Sequence, residues 1–124
     1  MASVEVSLKE MMTGVEGALG AAVVDYTSGM ALGTLGGGGD LDLTLAAAGN
    51  TDVIRAKVRT MEQLGLRSEI EDILITLAGQ YHLIRLVGGR SGHGLFLYLV
   101  LDKGRSNLAM ARHQLRRVEE QLEV

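Results

Sequence analysis

Three apolar runs crowd the second half of the chain: "EIEDILITLAG", "QYHLIRLVGG" and "GLFLYLVLD", separated only by Gly79 and by the stretch "GGRSGHG". Short apolar runs bounded by glycine turns read as β-strands. Strands joined this tightly pair antiparallel, because a parallel crossover needs a dozen or more residues. The chain is therefore committed to a sheet. In the first run, Glu69, Glu71, Ile73, Ile75 and Leu77 alternate, which predicts a strand over Glu69–Ala78 whose first half projects acid into solvent or across an interface.

The first half of the chain supplies two more strands. "ALGAAVVDY" and "MALGTLG" flank the turn "TSG" and read as a hairpin. Leu19–Val24 has no polar alternation, so both of its faces are expected to be covered, as in a central strand. Helical spacing surrounds these strands. Leu8, Met11, Met12 and Val15 recur on one face after a cap at Ser3, and Gly14 and Gly17 end that segment. The longest pattern runs from Leu41 to Leu64, with Asp40 as its expected N-cap and a stripe at Leu43, Ala47, Ile54, Val58 and Met61. Gly49, Asn50 and Thr51 are poor helix formers, so a kink or a break capped by Thr51 is the alternative to one continuous helix. A closing helix carries Leu108, Ala111, Leu115, Val118 and Leu122, capped by Ser106 or Asn107. The order α-β-β-α-β-β-β-α describes an α/β sandwich, a five-stranded antiparallel sheet with helices on both faces. A length of 124 residues, 47% of them hydrophobic, suits a single domain spanning 1–124.

Composition narrows the function. With 12 basic and 15 acidic residues the net charge is −3, which lacks the electrostatic footprint of a nucleic-acid binder. Cysteine is absent, so disulfides and thiolate metal sites are excluded. No apolar run approaches the ~18 residues that span a bilayer, and "MASVEVSLKE" is too mixed for a signal peptide. A cytoplasmic protein without direct membrane insertion is expected.

The segments "GVEGALGAAVVDYTSGMALG", "ILITLAGQYHLIRLV" and "GLFLYLVLDKGRSNLAMARHQLRRVE" resemble the roadblock family, the dynein-light-chain-like regulators that include the bacterial gliding-motility GTPase partners. The likeness runs from about Leu8 to Glu120 and rests on apolar strands and small turn residues rather than on a catalytic signature. It implies a non-catalytic homodimer, without a cofactor, that binds a Ras-like small GTPase as regulator or scaffold. The middle helix and third strand would pair with their symmetry mates, through Leu43, Ala46, Ala47, Asn50 and Ile54 on the helix and Ile73 and Ile75 on the strand. Independently of the family, "LAAAG" at Leu45–Gly49 offers small side chains over which two helices could approach closely, and Ile70, Ile73 and Ile75 would make an unpaired edge adhesive. The same alanines could equally pack on their own sheet. Exposed charges of the middle helix, Asp52, Arg55, Arg59 and Glu62, are the expected contacts for the GTPase.

A second function class is a small-ligand or nucleotide sensor built on the glycine loops. "GGGGD" at Gly36–Asp40 precedes a helix, but Asp40 and Leu41 stand where a phosphate loop needs lysine and a hydroxyl residue, and the glycine spacing fits no dinucleotide fingerprint. A slack connector closed by Asp40 is the simpler reading. "GGRSGHG" fails as a nucleophile elbow because His93 replaces the last glycine and a strand follows; Arg90 and His93 at that tip could touch an anion or a partner. His82, His93 and His113 show no metal-site spacing and are expected in partly buried or surface hydrogen bonds. Glu69, Glu71 and Asp72 have no basic or nucleophilic counterpart for acid–base work and read as a solvated strand end. On the last helix Arg112, His113, Arg116 and Arg117 precede Glu119, Glu120 and Glu123, so acid crowds the end where the helix dipole disfavours it. Intrahelical pairs from Arg116 to Glu119 and Glu120 offset part of that cost.

Overall fold

A computed structural model describes residues 1–88 and 94–124. Helix α1 (Val4–Thr13) leads into the hairpin β1 (Ala18–Asp25) and β2 (Met30–Gly36). Helix α2 (Leu43–Leu64) follows, then the meander β3 (Asp72–Thr76), β4 (Gln80–Leu86) and β5 (Leu95–Asp102), and finally α3 (Leu108–Gln121). All four strand pairings are antiparallel, in the order β2-β1-β5-β4-β3. This is the expected α/β sandwich.

The central strands β1 and β5 explain the unbroken apolar runs. Alternate residues of each face opposite ways, and both sets are buried. Ala21, Val23, Leu97, Leu99 and Leu101 join Leu8 and Met11 of α1 and Ala111, Leu115 and Val118 of α3 in one core. Ala22, Val24, Phe96, Tyr98 and Val100 meet Leu43, Ala47 and Ile54 of α2 in a second core on the other face. The four aromatic residues therefore serve packing first, with Phe96 and Tyr98 almost wholly enclosed.

Helix ends follow local chemistry. Ser3 caps α1 by accepting from the Val6 amide at 3.2 Å. Asn107 caps α3, accepting from Met110 at 3.1 Å, while Ser106 donates to the Asp102 carbonyl. Helix α2 is continuous through Gly49–Thr51, and Thr51 turns inward, donating its buried hydroxyl to the Ala47 carbonyl at 2.7 Å. It does not cap a second segment. Gly65 closes the helix in the left-handed region, at φ +72°.

Two boundaries differ from expectation. The N-cap of α2 is Asp42, not Asp40: its carboxylate accepts from the Leu45 amide at 3.0 Å, and the helix begins two residues later than the apolar pattern. Asp40 instead belongs to a tight turn in which Gly38 and Leu41 exchange both backbone hydrogen bonds, at 3.0 and 2.9 Å. Strand β3 is also shorter than Glu69–Ala78, since its ladder with β4 extends only from Asp72 opposite Arg85 to Thr76 opposite Tyr81. Alternation alone predicts more strand than the partner can pair.

Candidate interaction surface

Helix α2 lies mainly against β1 and β2. Its buried residues are Leu43, Ala47, Thr51 and Ile54, spaced by four, four and three along one face. Beyond Ile54 the expected stripe fails. Val58 is exposed, Met61 is half-buried, and no residue from Arg55 to Leu64 is buried. Nearly half of the helix is thus without a packed face, although tertiary packing is what ordinarily holds a helix in place.

This placement divides the residues expected at a dimer interface. Leu43, Ala47 and Ile54 are enclosed in the protomer's own core, so their side chains offer no free surface. Ala46 and Asn50 of α2 and Ile73 and Ile75 of β3 are half-buried, on the side where α2 leaves the sheet partly uncovered. Leu45 and Val53 are exposed on the same helix. Sequence periodicity did not separate the inward set from this outward one.

A polar chain crosses that half-covered region. Gln80 Oε1 lies 2.9 Å from His82 Nε2, and His82 Nδ1 lies 2.8 Å from the Tyr98 hydroxyl, the two rings meeting edge-on. Burial holds the His82 pKa below its ordinary value and raises that of Tyr98, and the neighbouring Asn50 amide lowers the latter in part. Neutral His82 is therefore favoured by the fold. Asn50 Nδ2 is buried without meeting hydrogen-bond geometry to any partner among the described residues.

The expected GTPase contacts divide as well. Asp52, Arg59 and Glu62 are exposed. Arg55 is exposed too, but its guanidinium donates to the carbonyls of Tyr26 at 3.1 Å and Thr27 at 2.9 Å, tying α2 to the β1–β2 turn. That turn is itself held by Asp25, whose carboxylate accepts from the Thr27 amide and hydroxyl.

Charges on α3 have partners that its own sequence does not suggest. Glu119 does not rely on Arg116; it pairs with Arg85 of β4 at 2.6 Å and accepts from the Gly88 amide at 2.9 Å. Arg112 grips Asp72 with two bonds, at 3.0 and 3.1 Å, so Asp72 is not a solvated strand end. The acid placed against the helix dipole was the one available signal of a distant partner.

Beside the Arg85–Glu119 pair runs a groove of about 550 Å³. One wall is the outer part of α2 with Val58, Met61 and Glu62; the other is the segment 66–71 with Leu66, Glu69, Ile70 and Glu71. Leu86 and Val87 at the end of β4 line it between them.

The glycine loops look different once folded. Gly36–Gly39 all take positive φ, from +56° to +97°. A Cβ on Gly36 would lie 2.7 Å from Met12 Cε and 2.8 Å from the Leu19 carbonyl, and one on Gly37 2.9 Å from the Leu41 carbonyl, so the start of the stretch is a fitted turn, not a slack connector, while Gly38 and Gly39 face open space. Gly37 and Gly38 donate their amides to the carbonyls of Leu19 and Leu41, which occupies two of the donors that a phosphate would use. Arg90, Ser91 and His93 lie outside the described residues. Among the described residues no three metal-ligating side chains cluster, and no helix is long and apolar enough to cross a membrane.

The whole architecture, with one helix on one face and two on the other, matches known structures over almost its full length. A Roadblock/LC7 domain from Streptomyces avermitilis superposes with a TM-score of 0.79 over 96% of this chain and 93% of that one. The chain has the roadblock fold. Sequence identity to that domain is only 11%. The gliding protein MglB from Thermus thermophilus matches at a TM-score of 0.76 and 18% identity, over 92% of this chain and 81% of that one. MglC from Myxococcus xanthus matches at 0.59 and 22%, over 94% and 93%. No protein-family model and no curated protein matches the sequence. At these identities the likeness speaks for the fold.

Proposed function

We propose that two copies of this chain associate through the outer side of α2 and the edge of β3, and that the dimer binds and regulates a Ras-like small GTPase without catalysis of its own. The observation that carries the reading is the incomplete face: a helix unpacked from Arg55 onward beside a short strand edge with half-buried Ile73 and Ile75. A two-fold contact would use this one patch twice, burying both edges at once. Ala46, Asn50, Ile73 and Ile75 would lie in the contact, with Leu45 and Val53 around them. The fold shared with the gliding proteins, and the family resemblance of the sequence, favour the GTPase as partner.

Asp52, Arg59 and Glu62 are the side chains left free to meet it; Arg55 is a tie within the protomer. Sedimentation equilibrium tests the dimer, and capture of Ras-like small GTPases from the source organism by the full chain tests the partner. Charge reversal at Asp52 and Arg59 should abolish capture while leaving sedimentation unchanged. Undiminished capture overturns the surface, and a chain that remains monomeric at all concentrations overturns the dimer.

A further inference from the structure

The groove between α2 and the segment 66–71 has an uneven charge. Arg85 is the one cation among its described lining residues, and that guanidinium is bound to Glu119 at 2.6 Å. Glu62, Glu69 and Glu71 also line it, all three exposed and none in an ion pair among the described residues. Between these carboxylates the surface is apolar, with Val58, Met61 and Ile70. The chain as a whole carries a net charge of −3, and the acid of this groove left without an ion pair among the described residues is of the same size.

We propose that the groove holds a cationic amphipathic segment of a partner protein, seating apolar side chains against Val58, Met61 and Ile70 and placing Lys or Arg on Glu62, Glu69 and Glu71. Phosphate-bearing ligands are disfavoured, because they would meet three carboxylates and no free cation among the described residues. A purely apolar segment would strip water from those carboxylates without replacing it. The volume of about 550 Å³ is that of an ordinary binding cleft and has room for several side chains. Opposite charge steers and orients such a segment, and the apolar strip retains it. The groove shares Glu62 with the proposed GTPase surface and borders the outer part of α2 proposed for the dimer, so the segment would compete for these residues, but its binding requires neither partner.

The test uses a short amphipathic Leu/Lys peptide and its Leu/Glu counterpart as probes, with the full chain at physiological salt. The Leu/Lys peptide should bind and shift backbone amide resonances over Val58–Glu71, and the Leu/Glu peptide should not. E69K/E71K should weaken binding by about tenfold or more, equivalent to ~1.4 kcal/mol. E5K/E16K, which reverses as much charge far from the groove, should change it less than twofold. E69Q/E71Q gives the same reading with a smaller loss should the double reversal fail to fold by circular dichroism. Equal losses from the groove and control reversals, or shifts lying elsewhere, overturn the proposal. So does dimer dissociation in E69K/E71K, which would make a second copy the occupant.

Discussion

The two faces of the sheet are built to different degrees of completion. On one, α1 and α3 enclose residues from β1, β3, β4 and β5, and two ion pairs, Arg85–Glu119 and Arg112–Asp72, fasten α3 to the far strands. On the other, α2 lies over β1 and β2, and its outer part stands clear of the sheet, beside half-buried isoleucines and a polar chain. The difference separates stability from association. The closed face holds the larger of the two enclosed cores, and the open face is the one proposed to carry association.

The sharpest way to break this comparison is to cut each face in turn. Leu99→Ala, wholly enclosed under α1 and α3, should cost ~2–5 kcal/mol in denaturant unfolding, at any protein concentration. Ile75→Ala, half-exposed on β3, should cost far less in dilute solution and lose more as concentration rises, because association stabilises only the native state. Equal, concentration-independent losses would mean that the open face is no interface. Glu119→Ala comes next, at ~1.5–3 kcal/mol by thermal unfolding, since it strands the Arg85 guanidinium and the Gly88 amide together.

Gly49→Ala probes the open face from the opposite direction. A Cβ there meets nothing within 4 Å, and replacing an exposed mid-helix glycine should raise dilute stability by ~0.8–1 kcal/mol. Weakened self-association in the same variant, by sedimentation, would put Gly49 within the helix contact. The smallest expected effect belongs to His82. Burial lowers its pKa, so on acidification the unfolded chain takes up the proton first, near the ordinary value of 6.5. The stability contributed by neutral His82 is complete above that value and is lost as pH falls below it, until the folded imidazole titrates in turn. Thermal midpoints at about pH 7.5 and about pH 5.5 should therefore fall further apart in the wild type than in His82→Gln.

Much of the fold was legible because the apolar pattern reports burial directly. Leu19–Val24 and Leu95–Leu101 have no polar alternation for the simple reason that both faces are covered. What resisted reading depended on partners distant in sequence. Asp40 and Asp42 are equivalent as caps until the Gly38–Leu41 turn decides which carboxylate faces the free amides. The acid of Glu119 looks misplaced when only its own helix is considered, yet its partner lies 34 residues away on β4. At the candidate interface, helical spacing identified α2 but not its sense. Leu43, Ala47 and Ile54 point in while Ala46 and Asn50 sit at the margin, and a modest rotation of the helix about its axis would exchange those roles.

That rotation is set by the fitted glycine turn. Helix α2 begins immediately after a loop whose ends are locked by paired backbone bonds, so its angular phase is counted from a fixed origin. Each residue of a helix advances about 100° around the axis. Deleting one residue between the turn and Leu43 would swing Ala48, Asp52 and Arg55 onto the sheet, and adding one would bring in Ala46, Asn50 and Val53. The loop richest in glycine is thereby among the least free to change its length.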